Sequence, residues 1–209
     1  KSEWGNSEFR EYCAEGEKRA FELGNRGPIR FTPEGRLHPE ILDAYERWGF
    51  YVFVDVIGED ELQECRSEVD ALLERAPWPH RESEVDRNGR PALGPEFAIN
   101  PWIMTKPLSD PVGGTSQNNG RHPVKMFEPE PGADSPVHVP YLVSGCLQLL
   151  PSFLRISGHP DILRVAETIN GTDFTPFTEV LFVKEPEIGP SVSWHQDGQI
   201  HWDSPHWDS

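Results

Sequence analysis

The sequence has few of the features that are typical of secreted and membrane proteins. Among its 209 residues are only three cysteines, Cys13, Cys65 and Cys146, and they form no CxxC motif. An odd number of widely spaced cysteines argues against a disulfide framework or a zinc ribbon, so we expect reduced thiols and a cytoplasmic protein. No apolar run approaches the roughly 20 residues that cross a bilayer, and no signal peptide is visible.

Positive charge is also scarce. Lysine and arginine number 19 against 35 aspartate and glutamate residues, which gives a formal net charge of −16. Nucleic acids and anionic membranes bind basic surfaces, so we expect neither as a partner. The acidic balance favours a small neutral or cationic molecule as the substrate, and no pattern in the sequence indicates an oligomeric state.

What the chain does contain is enough apolar material for a packed core, at 36% hydrophobic and 11% aromatic residues. We expect one domain over residues 1–209, in three parts. Residues 1–76 hold helices and a first strand, residues 77–140 form a loop or lid region with twelve prolines, and residues 141–209 hold helices followed by further strands. A long proline-rich segment within a compact domain is typical of a functional lid or of a disordered insert.

Hydrophobic periodicity predicts three helices and a strand in the first part. The stretch "EFREYCAEGEKRAFEL" fits a helix with Phe9, Tyr12, Ala20 and Phe21 facing inward. "HPEILDAYERWGF" predicts a helix that begins near Pro39, ends at Gly49 and turns one apolar face inward. "YVFVDV" is typical of a buried strand. The following helix, over 58–77, carries an apolar stripe of Leu62, Cys65, Val69, Leu72, Leu73 and Ala76.

The second half of the chain predicts loops, then helices, then a β-hairpin. We expect a few short strands within 77–140 and helices over 141–170, with a proline break in "YLVSGCLQLLPSFLRIS". The last of these helices begins near Pro160 and ends at Gly171. "TEVLFV" and "PSVSW" then predict two strands joined by a Pro/Gly turn.

The pattern His-x-Asp occurs three times in the last fifteen residues, as 195–197, 201–203 and 206–208. In a strand, residues i and i+2 point to the same side about 6–7 Å apart, so an imidazole and a carboxylate can converge on one metal ion. The pair His195 and Asp197 fits best, because it follows "PSVSW" and precedes Gly198. Two histidines and one carboxylate with open positions are the ligand set of non-heme Fe(II) oxygenases.

The other two pairs lie in "HWDSPHWDS", where serine and proline argue against a strand. We interpret them as loop residues that border the pocket, with His201 and Trp202 as candidates on the substrate side. Trp102, Trp202 and Trp207 can stack on a substrate or pack in the protein. Two other readings of the first pair stay open, a zinc-dependent hydrolase and a metal-binding domain without catalysis.

Two stretches of the chain resemble the phytanoyl-CoA dioxygenase family of Fe(II)- and 2-oxoglutarate-dependent oxygenases. One is "HPEILDAYERWGFYVFVDVIGEDELQECRSEVDALL", with its GF-x-V strand between two helices. The other is "TEVLFVKEPEIGPSVSWHQDG", with a Lys-x-Pro end to the strand and then the WHQD motif. Together they cover about a quarter of the chain. The resemblance implies an α+β fold with a double-stranded β-helix, or jelly-roll, core flanked by amino-terminal helices.

The resemblance also implies a site and a reaction. His195 and Asp197 would be the first two ligands of Fe(II), with Gln196 and Thr178 near the co-substrate 2-oxoglutarate, and Lys184 matches a lysine of the family. The reaction would use O2 to hydroxylate or otherwise oxidise a C–H bond of a small molecule. A carboxylate at Asp197 favours hydroxylation over halogenation, because halogenating relatives leave that ligand position to chloride.

The chain departs from the family pattern after the motif. A double-stranded β-helix needs about eight strands, and only twelve residues follow Asp197. We therefore expect the jelly roll to be incomplete within this sequence. The third ligand, a histidine, and the arginine that binds the distal carboxylate of 2-oxoglutarate are expected beyond Ser209. The alternative is that His201 or His206 completes the ligand set locally.

Overall fold

A computed structural model describes residues 7–94, 96–113, 126–175 and 179–193. These residues divide into two compact units, one within Lys1–Gln63 and Arg155–Thr175 and the other within Glu64–Leu154 and Pro176–Ser209. The helices of the described residues are α1 (Ser7–Phe21), α2 (Pro39–Trp48), α3 (Glu59–Leu73), α4 (Cys146–Leu149), α5 (Pro151–Ser157) and α6 (Pro160–Asn170). The strands are β1 (Arg26–Gly27), β2 (Val52–Phe53), β3 (Trp102–Thr105), β4 (Val139–Ser144) and β5 (Val180–Phe182).

Helix α2 confirms its prediction at both ends. Pro39 lies in its first turn, and Gly49 closes it with a left-handed φ of 79°, donating its N–H to the Tyr45 carbonyl. The inward face packs through Ile41, which is 1% exposed, against Leu37 and Val165. These three residues form the core of the first unit. Strand β2, which follows α2 in the chain, pairs in parallel with β1.

Helix α1 is present, but its predicted inward face is wrong. Tyr12 and Phe21 are 68% and 56% exposed, Ala20 is also exposed, and only Phe9 is half-buried. At 3.6 residues per turn, Phe21 lies about 120° around the helix from Phe9, so the two rings cannot share one face. The Phe21 ring is instead covered by the Arg26 guanidinium, 4.3 Å from its centroid.

The second unit is built on a three-stranded antiparallel sheet in the order β3-β4-β5. Its core joins one face of α3 to that sheet, as the apolar stripe predicts. The stripe residues Cys65, Leu72 and Ala76 are buried, with Val69 and Leu73 packed partly against the same core. The buried cluster consists of Leu72, Ala76, Trp102, Val143, Cys146, Leu150 and Val183.

Residues 141–144 correct the prediction of a helix, because they belong to β4, the central strand of the sheet. Both faces of this strand are covered, so Tyr141 and Val143 are buried and Leu142 is half-buried. Strands covered on both faces are continuous apolar runs, which periodicity alone does not distinguish from a buried helix. Pro140, which has no N–H to donate, lies opposite Met104 where the register with β3 shifts.

The predicted β-hairpin does not form in the described part of the second unit. Strand β5 pairs with β4, and Pro190–Ser193 forms no strand. A tight turn precedes this segment, with Glu187 at a φ of 68° and the Gly189 N–H bonded to the Glu185 carbonyl at 2.7 Å. The turn directs residues 188–193 toward the loop at 106–110 instead of back along β5.

The described residues therefore form a mixed helix and sheet structure with sheets of two and three short strands. A jelly roll needs about eight strands, so that part of the fold assignment stays a prediction. The described part of 77–140 confirms loops with short strands, namely β3 and the beginning of β4. No helix in the described ranges is both long enough and apolar enough to cross a membrane.

Candidate functional site

The residues that the sequence predicts for the metal and co-substrate site lie outside the described residues. This applies to His195, Gln196 and Asp197, to Thr178, and to the substrate-side candidates His201 and Trp202. Within 7–94, 96–113, 126–175 and 179–193, no group of three or more His, Cys, Asp or Glu side chains is placed to hold a metal ion. What the structure does describe is the chain up to Ser193, two residues before His195.

Trp102 is one of the three tryptophans considered for substrate stacking, and it belongs to the core instead. It is 7% exposed, and its indole Nε1 donates to the Leu93 carbonyl at 2.6 Å. A buried tryptophan whose N–H has a protein acceptor is a packing residue. The reading of Trp102 as a packing residue is thus confirmed.

The segment that leads into the motif is bonded to the loop at 106–110. Leu108 N–H donates to the Ile188 carbonyl at 3.0 Å, and Ser191 N–H donates to the Ser109 carbonyl at 2.8 Å. The Ser191 hydroxyl donates to the same Ser109 carbonyl at 3.3 Å. Two backbone hydrogen bonds three residues apart fix both the position and the direction of this segment.

Asp110 is the most buried charged group of this loop, at 1% exposure. Its Oδ2 atom accepts the Ser193 hydroxyl in a short hydrogen bond and also accepts the Met126 N–H at 2.7 Å. Its own N–H donates to Glu128 Oε1 at 2.7 Å. Ser193 is equally buried, at 1%, so the carboxylate ties the end of the described chain to two other segments.

Gly113 makes room for this arrangement. A Cβ atom at this position would overlap the Asp110 carboxylate and would lie 2.8 Å from Ser193 Oγ. Real Cβ atoms do not approach other atoms this closely, so any other residue at position 113 would force the carboxylate or the hydroxyl to shift. We call Ser109, Asp110, Gly113, Ser191 and Ser193 the Asp110 clamp.

Lys184 borders the clamp, in the Lys-x-Pro sequence that the family resemblance singled out. Its Nζ donates to the Pro190 carbonyl at 2.8 Å, immediately before Ser191. Partial desolvation of the ammonium lowers the pKa of Lys184, while the negative charge of Asp110 acts in the opposite direction. Burial, with a further contribution from Asp110, raises the pKa of the Tyr141 phenol. Both groups thus lie within the electrostatic influence of the clamp.

A cavity of about 530 Å³ in the second unit lies between α3 and β5. Its wall is apolar where Leu73 and Leu181 contribute, and its rim is charged where Arg87 pairs with Glu185 at 3.3 Å. Lys184 lines this cavity as well as donating to Pro190. The same lysine therefore joins the cavity to the segment that leads toward the predicted metal ligands.

Comparison of the chain with models of protein families, with curated proteins and with solved structures finds no match. Any functional conclusion therefore depends on the residues themselves.

The residues that sequence reasoning missed are Asp110 and Ser193. Asp110 is one of many acids in the proline-rich region, and 83 residues separate it from its serine partner. The position of Ser193 gave a weak indication of its role. It precedes His195 by two residues, and in an extended chain side chains two residues apart point to the same side. No pattern within the sequence identifies Asp110 as the acid that Ser193 meets.

Proposed function

We propose that this chain belongs to a non-heme Fe(II)- and 2-oxoglutarate-dependent dioxygenase that oxidises a C–H bond of a small molecule. The observation that carries the proposal is the sequence "TEVLFVKEPEIGPSVSWHQDG", in which a strand and a turn lead into His195 and Asp197. The described structure contains the strand and the turn, because β5 ends at Phe182 and a tight turn follows, whereas 190–193 forms no strand. The chain then reaches Ser193 along a fixed course.

The donor atoms of the pair suit the proposed metal. A histidine nitrogen and a carboxylate oxygen are two of the three donors in the 2-His-1-carboxylate set that binds Fe(II) and leaves positions open. When bound, iron with 2-oxoglutarate supplies the oxidation: O2 gives one oxygen atom to succinate and one to the substrate, and carbon dioxide is released.

The chain's own residues hold and surround these groups in the proposal. His195 and Asp197 bind the metal, and Gln196 and Thr178 contact the co-substrate. His201 and Trp202 border the substrate, for which the net charge of −16 favours a neutral or cationic molecule. The protein orients these partners and excludes water from the site.

The test is iron-dependent turnover of 2-oxoglutarate by the full-length protein, measured as succinate release, together with Fe(II) binding. We expect Asp197→Ala to lower both by more than about 100-fold, because removing a ligand affects the metal more than removing a residue behind a ligand does. Asp173→Ala is the matched control, since Asp173 is exposed in the turn after α6 and its replacement should leave both values unchanged.

Three results would overturn the proposal. The first is full activity in Asp197→Ala. The second is tight zinc binding with hydrolysis and no iron-dependent succinate release, which would favour a hydrolase. The third is iron binding with no 2-oxoglutarate consumption across varied substrates, which would favour a metal-binding domain without catalysis.

A further inference from the structure

The Asp110 clamp reaches the chain at its closest described point to the predicted metal pair. Ser193 precedes His195 by two residues, so their Cα atoms are at most about 7 Å apart. Two hydrogen bonds hold this part of the chain. The Ser191 backbone N–H donates to the Ser109 carbonyl, and the Ser193 hydroxyl donates to the Asp110 carboxylate. The clamp therefore fixes the chain two residues before the first predicted ligand.

We propose that Asp110 and Ser193 are positioning residues that set the place of His195 and Asp197 for metal binding. This inference rests on the proposed function, in which those two residues bind iron. Hydrogen bonds from a hydroxyl to a carboxylate are among the stronger ones in proteins, and this one is excluded from water on both sides. Metal ligands must be held to within about 0.5 Å to bind well, and such precision comes from the residues behind them.

Asp110 supports the chain through its Oδ2 atom, which accepts the Ser193 hydroxyl and the Met126 N–H, and through its backbone N–H, which donates to Glu128. Its Oδ1 atom is buried without a hydrogen-bond partner in the described part of the chain, where no group of three His, Cys, Asp or Glu side chains is placed to hold a metal ion. The surrounding groups complete the support, because Lys184 holds Pro190 and Gly113 leaves the space that the carboxylate fills. The cluster therefore fixes residues 190–193 through contacts at Pro190, Ser191 and Ser193, and it does not supply a set of metal ligands.

The chain offers a matched control for the Ser193 hydroxyl. Ser152 lies in the same unit, is fully buried, and donates its hydroxyl to Glu68 Oε2 at 2.5 Å. Ser193→Ala and Ser152→Ala thus each remove one buried hydroxyl–carboxylate hydrogen bond. General loss of stability affects both variants, whereas loss of positioning affects only Ser193→Ala.

The first measurement is the Kd of the full-length protein for Fe(II), titrated anaerobically with 2-oxoglutarate present. We expect Ser193→Ala to weaken binding by about tenfold or more, the range known for residues behind metal ligands, and Ser152→Ala to leave it unchanged. Asp110→Asn keeps an oxygen acceptor and should retain affinity, whereas Asp110→Ala should lose it. Equal Kd values in Ser193→Ala and Ser152→Ala, or in Asp110→Asn and Asp110→Ala, would overturn the proposal.

The second measurement needs no metal and separates this inference from the proposed function. Hydrogen exchange of the metal-free protein should speed up at the amides of Leu108 and Ser191 in Ser193→Ala, but not in Ser152→Ala. If the wild type binds no iron, the proposed function fails, while faster exchange still confirms the clamp. If the wild type binds iron and exchange at these amides is unchanged in Ser193→Ala, the positioning role is overturned.

Discussion

At the scale of single residues, adding one methyl group at Gly113 should have a large effect on stability. A methyl group there would overlap the Asp110 carboxylate and press on Ser193 Oγ. Because overpacking a filled site destabilises a protein by about 1–3 kcal/mol, we expect Gly113→Ala to lower the free energy of unfolding by that amount. Denaturant unfolding measures it.

Gly132→Ala is the control for Gly113→Ala. A Cβ at Gly132 would meet its nearest neighbour, Ser135 Oγ, at an ordinary 3.8 Å. We expect this variant to change the free energy of unfolding by no more than about 0.5 kcal/mol. An equally small effect of Gly113→Ala would mean that the clamp can shift without loss, which contradicts the packing described for Asp110 and Ser193.

The candidate site shows how far single residues can be interpreted without a fold. The spacing of His195 and Asp197 is local, so the sequence is enough to predict a metal pair. Asp110 acts across 83 residues, and only the fold brings its carboxylate to Ser193. Its partner on the other side, the Met126 N–H, is a backbone group that every residue except proline carries and that therefore leaves no signature in the sequence.

At the scale of elements, the packing of the helices that follow β4 depends on one buried leucine. Leu150 lies between α4 and α5, is 2% exposed and belongs to the core cluster of the second unit. Replacing a buried leucine by alanine removes its contacts and leaves a cavity, so we expect Leu150→Ala to lower the free energy of unfolding by about 2–5 kcal/mol. Thermal or urea unfolding measures the change.

Leu154, four residues later on α5, provides the comparison for Leu150. It is 56% exposed, so Leu154→Ala should change the free energy of unfolding by about 0.5 kcal/mol or less. Similar losses of unfolding free energy in Leu150→Ala and Leu154→Ala would contradict the burial of Leu150 and the exposure of Leu154.

The elements that the sequence predicted well are those with a polar face. Helices α2 and α6 have charged residues opposite their apolar sides, and each begins at a proline and ends before a glycine. Strand β4 has no such contrast, because its neighbours β3 and β5 and the core enclose it. Its residues were therefore mistaken for part of a helix. The segment 190–193 was mistaken for a strand because its hydrogen bonds go to a loop, Leu108–Asp110, that lies far away in sequence.

At the scale of the whole molecule, the three thiols report on the two units separately. Cys13 is exposed on α1 in the first unit, whereas Cys65 and Cys146 are buried in the second. The Cys146 thiol donates to the Val143 carbonyl at 3.1 Å, and its burial raises its pKa, which disfavours the reactive thiolate. Buried thiols of one unit become accessible only when that unit opens.

We therefore expect one of the three thiols to react rapidly with a disulfide reagent at neutral pH, and all three to react in denaturant. Cys13→Ser should abolish the fast phase and leave the slow one unchanged. Because Cys65 and Cys146 share a unit, their slow phases should have a common rate that falls as the second unit is stabilised. Rapid labelling of Cys65 or Cys146 in the native protein, followed by peptide mapping, would contradict the burial of that core.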